Sequence, residues 1–198
     1  MVFEMHPLLE QDPDLAAIHK RYGEPPLWKR EPGFATLLHI ILEQQVSLAS
    51  ALRTFEKLNA LVPELTPEMF LALDDAALKD AGFSRQKARY GRALAKAILD
   101  GELRLESLPT LNDDEVRAEL TKIVGIGAWT ANIYLLMVLR RPDVWARGDL
   151  ALAVAVQEVK DLPTRPNQDE LEVLAKSWQP HRSYAARLLW HYYLSRSK

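Results

Sequence analysis

The 198-residue chain contains no cysteine, and this absence removes several chemistries from consideration. Without cysteine the protein has no disulfide, no thiolate nucleophile, no cysteine-ligated zinc and no iron–sulfur cluster. The sequence also lacks any run of about 18 uncharged apolar residues, so no membrane-spanning helix is expected. The N-terminal stretch 1–7 lacks a basic region followed by an apolar run, and we therefore expect a soluble, intracellular protein without a secretory signal.

Glycine is scarce, with eight residues against twelve prolines, and the alternation of apolar and polar residues that is typical of a β-strand is missing. Helical periodicity dominates and predicts an all-α fold of roughly ten short helices. The predicted helices cover about 12–22, 33–43, 46–61, 67–72, 75–80, 84–100, 112–122, 128–140, 149–159, 167–177 and 181–196.

The net formal charge of −2 does not by itself indicate a nucleic-acid partner. Its distribution is uneven: residues 1–120 hold 14 basic against 20 acidic side chains, and residues 121–198 hold 11 against 7. A basic C-terminal third is able to face phosphates, although a chance fluctuation explains the same counts.

A pair of glycines at Gly125 and Gly127 interrupts the helical pattern on either side of Ile126. Glycine permits positive φ and lets a phosphate approach the backbone without meeting a Cβ atom. The helix that follows offers backbone N–H groups and a positive dipole end to an anion. The alternative is an ordinary helix end with a tight turn, and a Gly-x-Gly on its own does not separate the two.

Asp149 stands directly before a predicted helix and is the second feature of interest. Its sequence context is that of a helix N-cap, and this structural role is sufficient to explain the residue. A cap also fixes the orientation of a carboxylate, so capping and chemistry can coexist at this position.

Four ordered motifs resemble the helix-hairpin-helix DNA glycosylase superfamily, and within it the DNA-3-methyladenine glycosylase II family. They are Ile-Leu-Glu-Gln-Gln-Val-Ser at 41–47, Gly-Ile-Gly-Ala-Trp-Thr-Ala-Asn at 125–132, Asp-Val-Trp at 143–145 ahead of Asp149, and Trp-Gln-Pro-His-Arg-Ser-Tyr-Ala at 178–185. The resemblance runs from about residue 34 to residue 190. It departs from the family at Val124, where proline is common and where we expect the valine to keep the apolar contact.

The resemblance implies a two-lobed helical fold with a central cleft. One lobe would span about 33–142 and carry the hairpin, and the other would combine about 1–32 with 143–198. By the same resemblance Asp149 is the catalytic aspartate. It would stabilise the oxocarbenium-like transition state that forms when an N-glycosidic bond breaks. One acid suffices when the leaving base is already cationic, as 3-methyladenine and 7-methylguanine are.

Trp129 occupies the position at which lyase-active relatives have a lysine nucleophile, so the resemblance implies a monofunctional glycosylase. A target base must be flipped out of the duplex. The resemblance assigns DNA contacts to Gln44 and Gln45, with Gln45 as the minor-groove wedge, although the pair also suits a polar cap for the next helix. Gly125, Ile126, Gly127 and Thr130 would contact DNA through the hairpin.

Aromatic side chains that could stack on a cationic purine are the expected pocket walls. Trp129 and Trp190 match pocket positions of the family, and Tyr134, Trp28 and Tyr184 are looser candidates, although core packing explains any of them. Ile133 and Leu150 stand where relatives have tyrosines, which predicts a wider or more apolar pocket.

Two sets of basic residues could add phosphate contacts. Arg147 and Arg182 lie within the motifs, although Arg182 could instead pair with a carboxylate and brace the C-terminal lobe. The run Arg85, Lys87, Arg89, Arg92 and Lys96 contains no acid but spans more than one helix face, which favours a solvated surface.

The five histidines lack metal-binding spacing, so no metal site and no required cofactor are expected, apart from a monovalent cation that the family can hold on hairpin carbonyls. The expected partner is double-stranded DNA containing alkylated bases, bound by a monomer. No membrane partner is expected. Two alternatives remain at this point: a non-catalytic DNA-binding protein built on the same hairpin, and a lyase-active glycosylase for oxidised bases. The first is opposed by Asp149, and the second by Trp129 and the missing cysteines.

Overall fold

The computed structural model describes residues 6–196, and every regular element within that range is a helix. The predicted all-α class is therefore confirmed. Residues 1–5 and 197–198 lie outside the description, and with them most of the N-terminal stretch that was searched for a secretory signal. No helix in the described range has both the length and the apolar character needed to span a membrane.

The chain forms two compact helical units. The central unit runs from Arg30 to Leu139, and the terminal unit combines the residues up to Lys29 with those from Arg140 onward. The helices of the central unit are α3 (Phe34–Glu43), α4 (Leu48–Leu61), α5 (Pro67–Ala72), α6 (Asp75–Ala81), α7 (Arg85–Leu99), α8 (Asp113–Thr121) and α9 (Ala128–Met137), with a 3₁₀ helix at Leu105–Thr110.

The core of the central unit forms where α3 packs against α4, α7 and α9. Apolar residues of α3 recur at helical spacing, and Leu37, Leu38 and Ile41 are completely buried. The helices α5 and α8 add to this core by packing on α7 and α9 respectively.

The terminal unit consists of α1 (Pro7–Gln11), α2 (Pro13–Tyr22), α10 (Leu150–Val159), α11 (Gln168–Lys176) and α12 (Arg182–Ser195). Helix α12 packs on α2 and α10. Asp12, which is buried, accepts hydrogen bonds from Lys160 Nζ at 2.8 Å and Trp178 Nε1 at 2.7 Å. These bonds hold the pKa of Asp12 below its usual value despite the opposing effect of burial.

Capping side chains set the helix boundaries. Asp12 and Thr66 cap helices that begin with proline, and Asn112 forms a capping box with Glu115. Gly82 ends α6 with a left-handed φ of 107°. Predicted and observed limits agree within three residues for the eleven predicted helices, while α1 and the 3₁₀ helix were not predicted.

Candidate functional site

Asp149 lies in the terminal unit as the N-cap of α10, and its carboxylate is held in a defined orientation. Its Oδ1 atom accepts a hydrogen bond from the Leu152 backbone N–H at 2.9 Å and another from Trp190 Nε1 at 3.2 Å. The predicted capping role is thereby confirmed. One of these donors caps α10, and the other belongs to the indole of α12. The side chain of Asp149 is therefore fixed by two helices at once.

The segment that leads into Asp149 is anchored at both ends. Gly148 adopts a left-handed φ of 90°, and its N–H donates to Gln168 Oε1 at 2.6 Å. At the beginning of the segment, Asp143 receives two bonds from the Arg182 guanidinium, at 2.7 and 2.9 Å. Burial favours the neutral acid, but these bonds prevail and hold the pKa of Asp143 below its usual value.

Two tryptophans and a leucine accompany Asp149 within the same unit, and we call these four residues the Asp149 cluster. The rings of Trp190 and Trp28 meet edge to face, with centroids 6.3 Å apart and an interplanar angle of 82°. Leu150, the first residue of α10, is 60% exposed. The cluster thus joins a carboxylate to the buried Trp190, with the half-buried Trp28 and the exposed Leu150 as its accessible apolar surface.

The hairpin between α8 and α9 lies in the central unit and requires glycine at its first position. Gly125 has φ 95°, in the left-handed region. A methyl group there would lie 2.1 Å from Tyr90 Cγ, so the ring of Tyr90 packs directly on the turn. Ile126 buries its side chain, so only its backbone is available to a ligand.

Gly127 differs from Gly125 in both conformation and surroundings. It is the N-cap of α9 with φ −99°, and a methyl group added there would meet nothing within 4 Å. No side chain caps the N-terminus of α9. Open space above Gly127 therefore borders the positive end of the helix, which is the geometry an anion needs.

Gln44 ends α3 and braces the hairpin, and its assignment as a DNA contact stays a prediction. Its side-chain amide donates to the Gly125 carbonyl at 2.8 Å and to Thr130 Oγ1 at 3.0 Å. Both protons of the amide group are therefore used inside the protein. Thr130 is only 1% exposed, so its hydroxyl serves as a partner in the brace and does not offer a surface to DNA.

Gln45 follows this brace and occupies the tip of the turn between α3 and α4. It is exposed and has a φ of 57°, and its neighbour Val46 is 45% exposed. The alternative role as helix cap belongs instead to Ser47, whose hydroxyl accepts from the Ser50 N–H at 3.2 Å. The turn thus presents a polar tip flanked by apolar surface.

Both arginines of the motifs, Arg147 and Arg182, form ion pairs with carboxylates of the protein. Arg147 pairs with Asp169 at 2.8 Å and with Glu172 at 2.6 Å. Arg182 takes the bracing role through Asp143, as the alternative reading of the sequence proposed. Each guanidinium thus has carboxylate partners, and the assignment of both arginines as DNA contacts stays a prediction.

Three of the expected pocket residues lie elsewhere. Ile133 is 2% exposed and Tyr134 is fully buried, so both are core residues of α9 and not pocket walls. Burial raises the pKa of Tyr134 to about 12. Tyr184, the third, donates a hydrogen bond from its hydroxyl to Glu24 at 2.8 Å and stacks on His6. Trp129 is a different case, because it is half-buried at the start of α9.

Three further residues show what sequence reasoning missed. Tyr90 under the hairpin carries no sequence signal, because the contact joins α7 to a turn 35 positions later. Trp28 was a loose candidate only, since nothing local connects it to Trp190. Val124, which was expected to keep the apolar contact of the usual proline, is 56% exposed, and sequence reasoning did not predict this exposure.

Groups of side chains able to bind a metal are absent from residues 6–196. Within the hairpin, the Ile123 carbonyl accepts from the Ile126 N–H at 3.0 Å, and the Gly125 carbonyl accepts from Gln44. A carbonyl oxygen has two lone pairs, so these atoms keep acceptor capacity for a monovalent cation.

A family model described as HhH-GPD superfamily base excision DNA repair protein matches residues 38–180. The Bacillus subtilis protein YfjP is 30% identical over 184 residues, covering 89% of this chain. The Schizosaccharomyces pombe 3-methyladenine DNA glycosylase Mag1, solved with abasic DNA, is 26% identical with a TM-score of 0.86 and covers 90% of each chain. Endonuclease III of Sulfolobus acidocaldarius is 39% identical over 111 residues, covering 54% of this chain and 48% of its own length.

The chain spans less than two thirds of the length of the first curated relatives, with 64% of YfjP covered. The similarity to the solved Mag1 structure extends over almost the whole of both proteins.

Proposed function

The chain belongs to the HhH-GPD superfamily of base excision DNA repair proteins, and from this we propose that it is a DNA glycosylase that hydrolyses the N-glycosidic bond of alkylated bases. The observation that carries the proposal is the double anchoring of Asp149 Oδ1 by Leu152 and Trp190. A carboxylate with a fixed orientation beside aromatic surface suits the stabilisation of a positively charged sugar.

Breaking the bond between base and deoxyribose places positive charge on the sugar ring in the transition state. A preorganised carboxylate stabilises that charge without having to reorient during the reaction. The same carboxylate can orient or deprotonate the water that attacks the anomeric carbon. In this proposal Asp149 has both roles, and the two hydrogen bonds to its Oδ1 keep it in place.

The substrate class follows from the leaving group. A cationic base such as 3-methyladenine or 7-methylguanine departs as a neutral molecule and needs no general acid. A cationic purine also gains cation–π attraction, which is strongest on tryptophan faces and is worth about 0.5–2 kcal/mol. Trp190 is only 7% exposed and holds Asp149, and the half-buried Trp28 packs against it edge to face, so Trp28 is the ring with surface to offer such a base.

DNA would be held through its backbone and not through many side-chain charges. We assign one phosphate to the open space above Gly127, where the first turn of α9 has no side-chain cap. Gln45 at the exposed turn would enter the minor groove and fill the gap that the flipped base leaves. The partner is double-stranded DNA, and a monomer suffices because one chain provides every group named here.

No cofactor enters the proposed reaction. A monovalent cation would lie on hairpin carbonyls such as those of Ile123 and Gly125, where it would add positive charge near the phosphate. It would supply no acid, base or nucleophile, so the bond cleavage is assigned to Asp149 and water.

Two other functions are less well supported. A non-catalytic DNA-binding protein would gain nothing from an anchored anion at Asp149. A lyase needs an amine nucleophile after the hairpin, and this chain has the indole of Trp129 there. The related Endonuclease III segment covers about half of this chain, whereas the similarity to Mag1 covers 90%.

Incubation with a methylated duplex tests the proposed function. We expect free methylated base and an abasic strand, which hot alkali cleaves but the enzyme does not. Sodium borohydride should trap no covalent protein–DNA adduct, with a lyase-active glycosylase as the positive control. Bound but intact DNA would identify a pure binding protein, and a trapped adduct would identify a lyase.

A further inference from the structure

Helix α7 carries five basic side chains and no acidic one. Two of the five are used inside the protein. Lys87 Nζ donates to the Leu42 carbonyl at 2.6 Å, and Arg92 pairs with Asp75 at 2.8 Å. Burial lowers the pKa of Lys87, consistent with an ammonium group drawn into the protein.

Arg85 and Arg89 behave differently from these two. Both are exposed, and within residues 6–196 neither lies within ion-pair distance of a carboxylate. They are four positions apart, so they project from the same face of the helix about 6 Å apart along its axis. Two unneutralised guanidinium groups on one face repel each other, and a bound anion would remove that repulsion.

Arg89 is positioned next to the hairpin by an aromatic ring. Its guanidinium lies over the Tyr90 ring, with Cζ 5.5 Å from the centroid. The same ring packs on Gly125, where an added methyl would lie 2.1 Å from Cγ. Arg89, Tyr90 and Gly125 therefore form a continuous stack from a cation to the proposed phosphate clamp.

The neighbouring residue Lys87 ties the same part of α7 to the end of α3. Lys87 bonds the carbonyl of Leu42, which is two positions before Gln44 in the chain. Gln44 in turn braces the hairpin through the Gly125 carbonyl. The first turns of α7 are thus fixed to both elements that the proposed function places against DNA. Arginines on this segment keep a constant position relative to the hairpin.

We propose that Arg85 and Arg89 form a second phosphate-binding site that extends the hairpin clamp along the DNA backbone. This inference rests on the proposed function, because it assumes that the hairpin holds DNA. The ligand chemistry is the phosphodiester, for which arginine is suited by its planar, forked donors. The site explains how a chain of net charge −2 gains electrostatic affinity for DNA.

The salt dependence of DNA binding reports directly on such contacts. Each phosphate that a basic side chain neutralises releases counterions and adds about 0.9 to the slope of log K against log salt concentration. Arg85→Ala with Arg89→Ala should therefore reduce the slope by about 1.8. Raising salt from 50 to 200 mM weakens DNA binding in both proteins. The fold decrease in the binding constant should be roughly ten times smaller for the double variant than for the unaltered protein.

The experiment measures binding of a duplex that contains a tetrahydrofuran abasic analogue over this salt range. Lys96→Ala is the matched control, because Lys96 is an exposed cation in the last turn of the same helix, about 10 Å beyond Arg89. It should leave the slope unchanged. The single variant Arg89→Lys keeps the charge and should keep most of the slope, whereas Arg89→Met keeps the packing and should reduce the slope by about 0.9.

Three outcomes would overturn the proposed site. They are an unchanged slope in the double variant, an equal reduction in Lys96→Ala, and an unchanged slope in Arg89→Met. Melting curves of the variants exclude misfolding as the cause. Failure of the proposed function is distinguishable, because it would appear as no base release by the unaltered protein, whereas failure of this site alone leaves that release intact.

Discussion

Replacing Asp149 with asparagine is expected to lower the single-turnover rate of base release by about 10²–10³-fold. The expected loss arises because the amide is neutral and cannot offset the positive charge that develops on the sugar. Asparagine caps a helix as well as aspartate does, so the bond from the Leu152 N–H to the side chain should survive. The rate is measured as free base released from a methylated duplex with enzyme in excess.

Asp149→Ala supplies the control that separates capping from chemistry. Loss of the cap should cost about 1 kcal/mol of unfolding free energy in this variant but not in Asp149→Asn. Both variants should bind the abasic-analogue duplex. If Asp149→Asn releases base at the unaltered rate, the carboxylate has no part in the reaction and the residue is only a cap.

Gly125→Ala and Gly127→Ala are expected to have different effects, although the two glycines are only two positions apart. Gly125→Ala should lose stability, and Gly127→Ala should lose affinity for DNA. At Gly125 the left-handed φ costs alanine about 1–2 kcal/mol, and the contact with Tyr90 adds about 1–3 kcal/mol of overpacking. The melting temperature of Gly125→Ala should therefore fall by about 10 °C.

Gly127→Ala should fold, because its φ of −99° suits alanine and the added methyl has open space. Its stability cost is about 1 kcal/mol or less, from a poorer N-cap. The methyl would instead obstruct a phosphate and weaken charge-assisted hydrogen bonds worth about 1.5–3 kcal/mol, or roughly 10- to 100-fold in DNA affinity.

Melting curves and titration with the abasic-analogue duplex should accordingly separate the two glycines. Equal stability of both variants would contradict the packing of Tyr90 on Gly125. Unaltered DNA affinity of Gly127→Ala would remove the phosphate from the hairpin.

Local signals predicted most of the helical fold. Caps such as Asn112 and breakers such as Gly82 act within a few residues of the chain, so the sequence displays them directly. Helix α1 was missed because a single residue, Asp12, ends it and begins α2. The end of α9 was placed three residues late, since nothing in the sequence announces the positive φ of Arg140.

The candidate site was predictable only where its residues act locally. Asp149 is recognisable as a cap from the residues that follow it, and the family motifs add its chemical role. The acids that occupy Arg147 lie on α11 more than twenty positions away, and no pattern in the sequence connects them. Gln44 was identified as important, but its bonds to the hairpin join positions more than 80 residues apart.

Burial of α9 was the other point at which the sequence misled. Ile133 and Tyr134 follow the hairpin closely, so the family pattern favoured them as pocket walls. In the structure they face a core that only tertiary packing creates, and Tyr134 has no exposed surface. By contrast, Trp28 and Trp190 are distant in sequence and meet in the terminal unit.

A panel of defined duplexes that differ only in one damaged base tests the central claim, which is that an anchored carboxylate promotes departure of a cationic base. Free base is scored under single turnover for 3-methyladenine and 7-methylguanine against the neutral lesions ethenoadenine and hypoxanthine. The account predicts faster release of the two cationic bases. Release of neutral bases alone would contradict it.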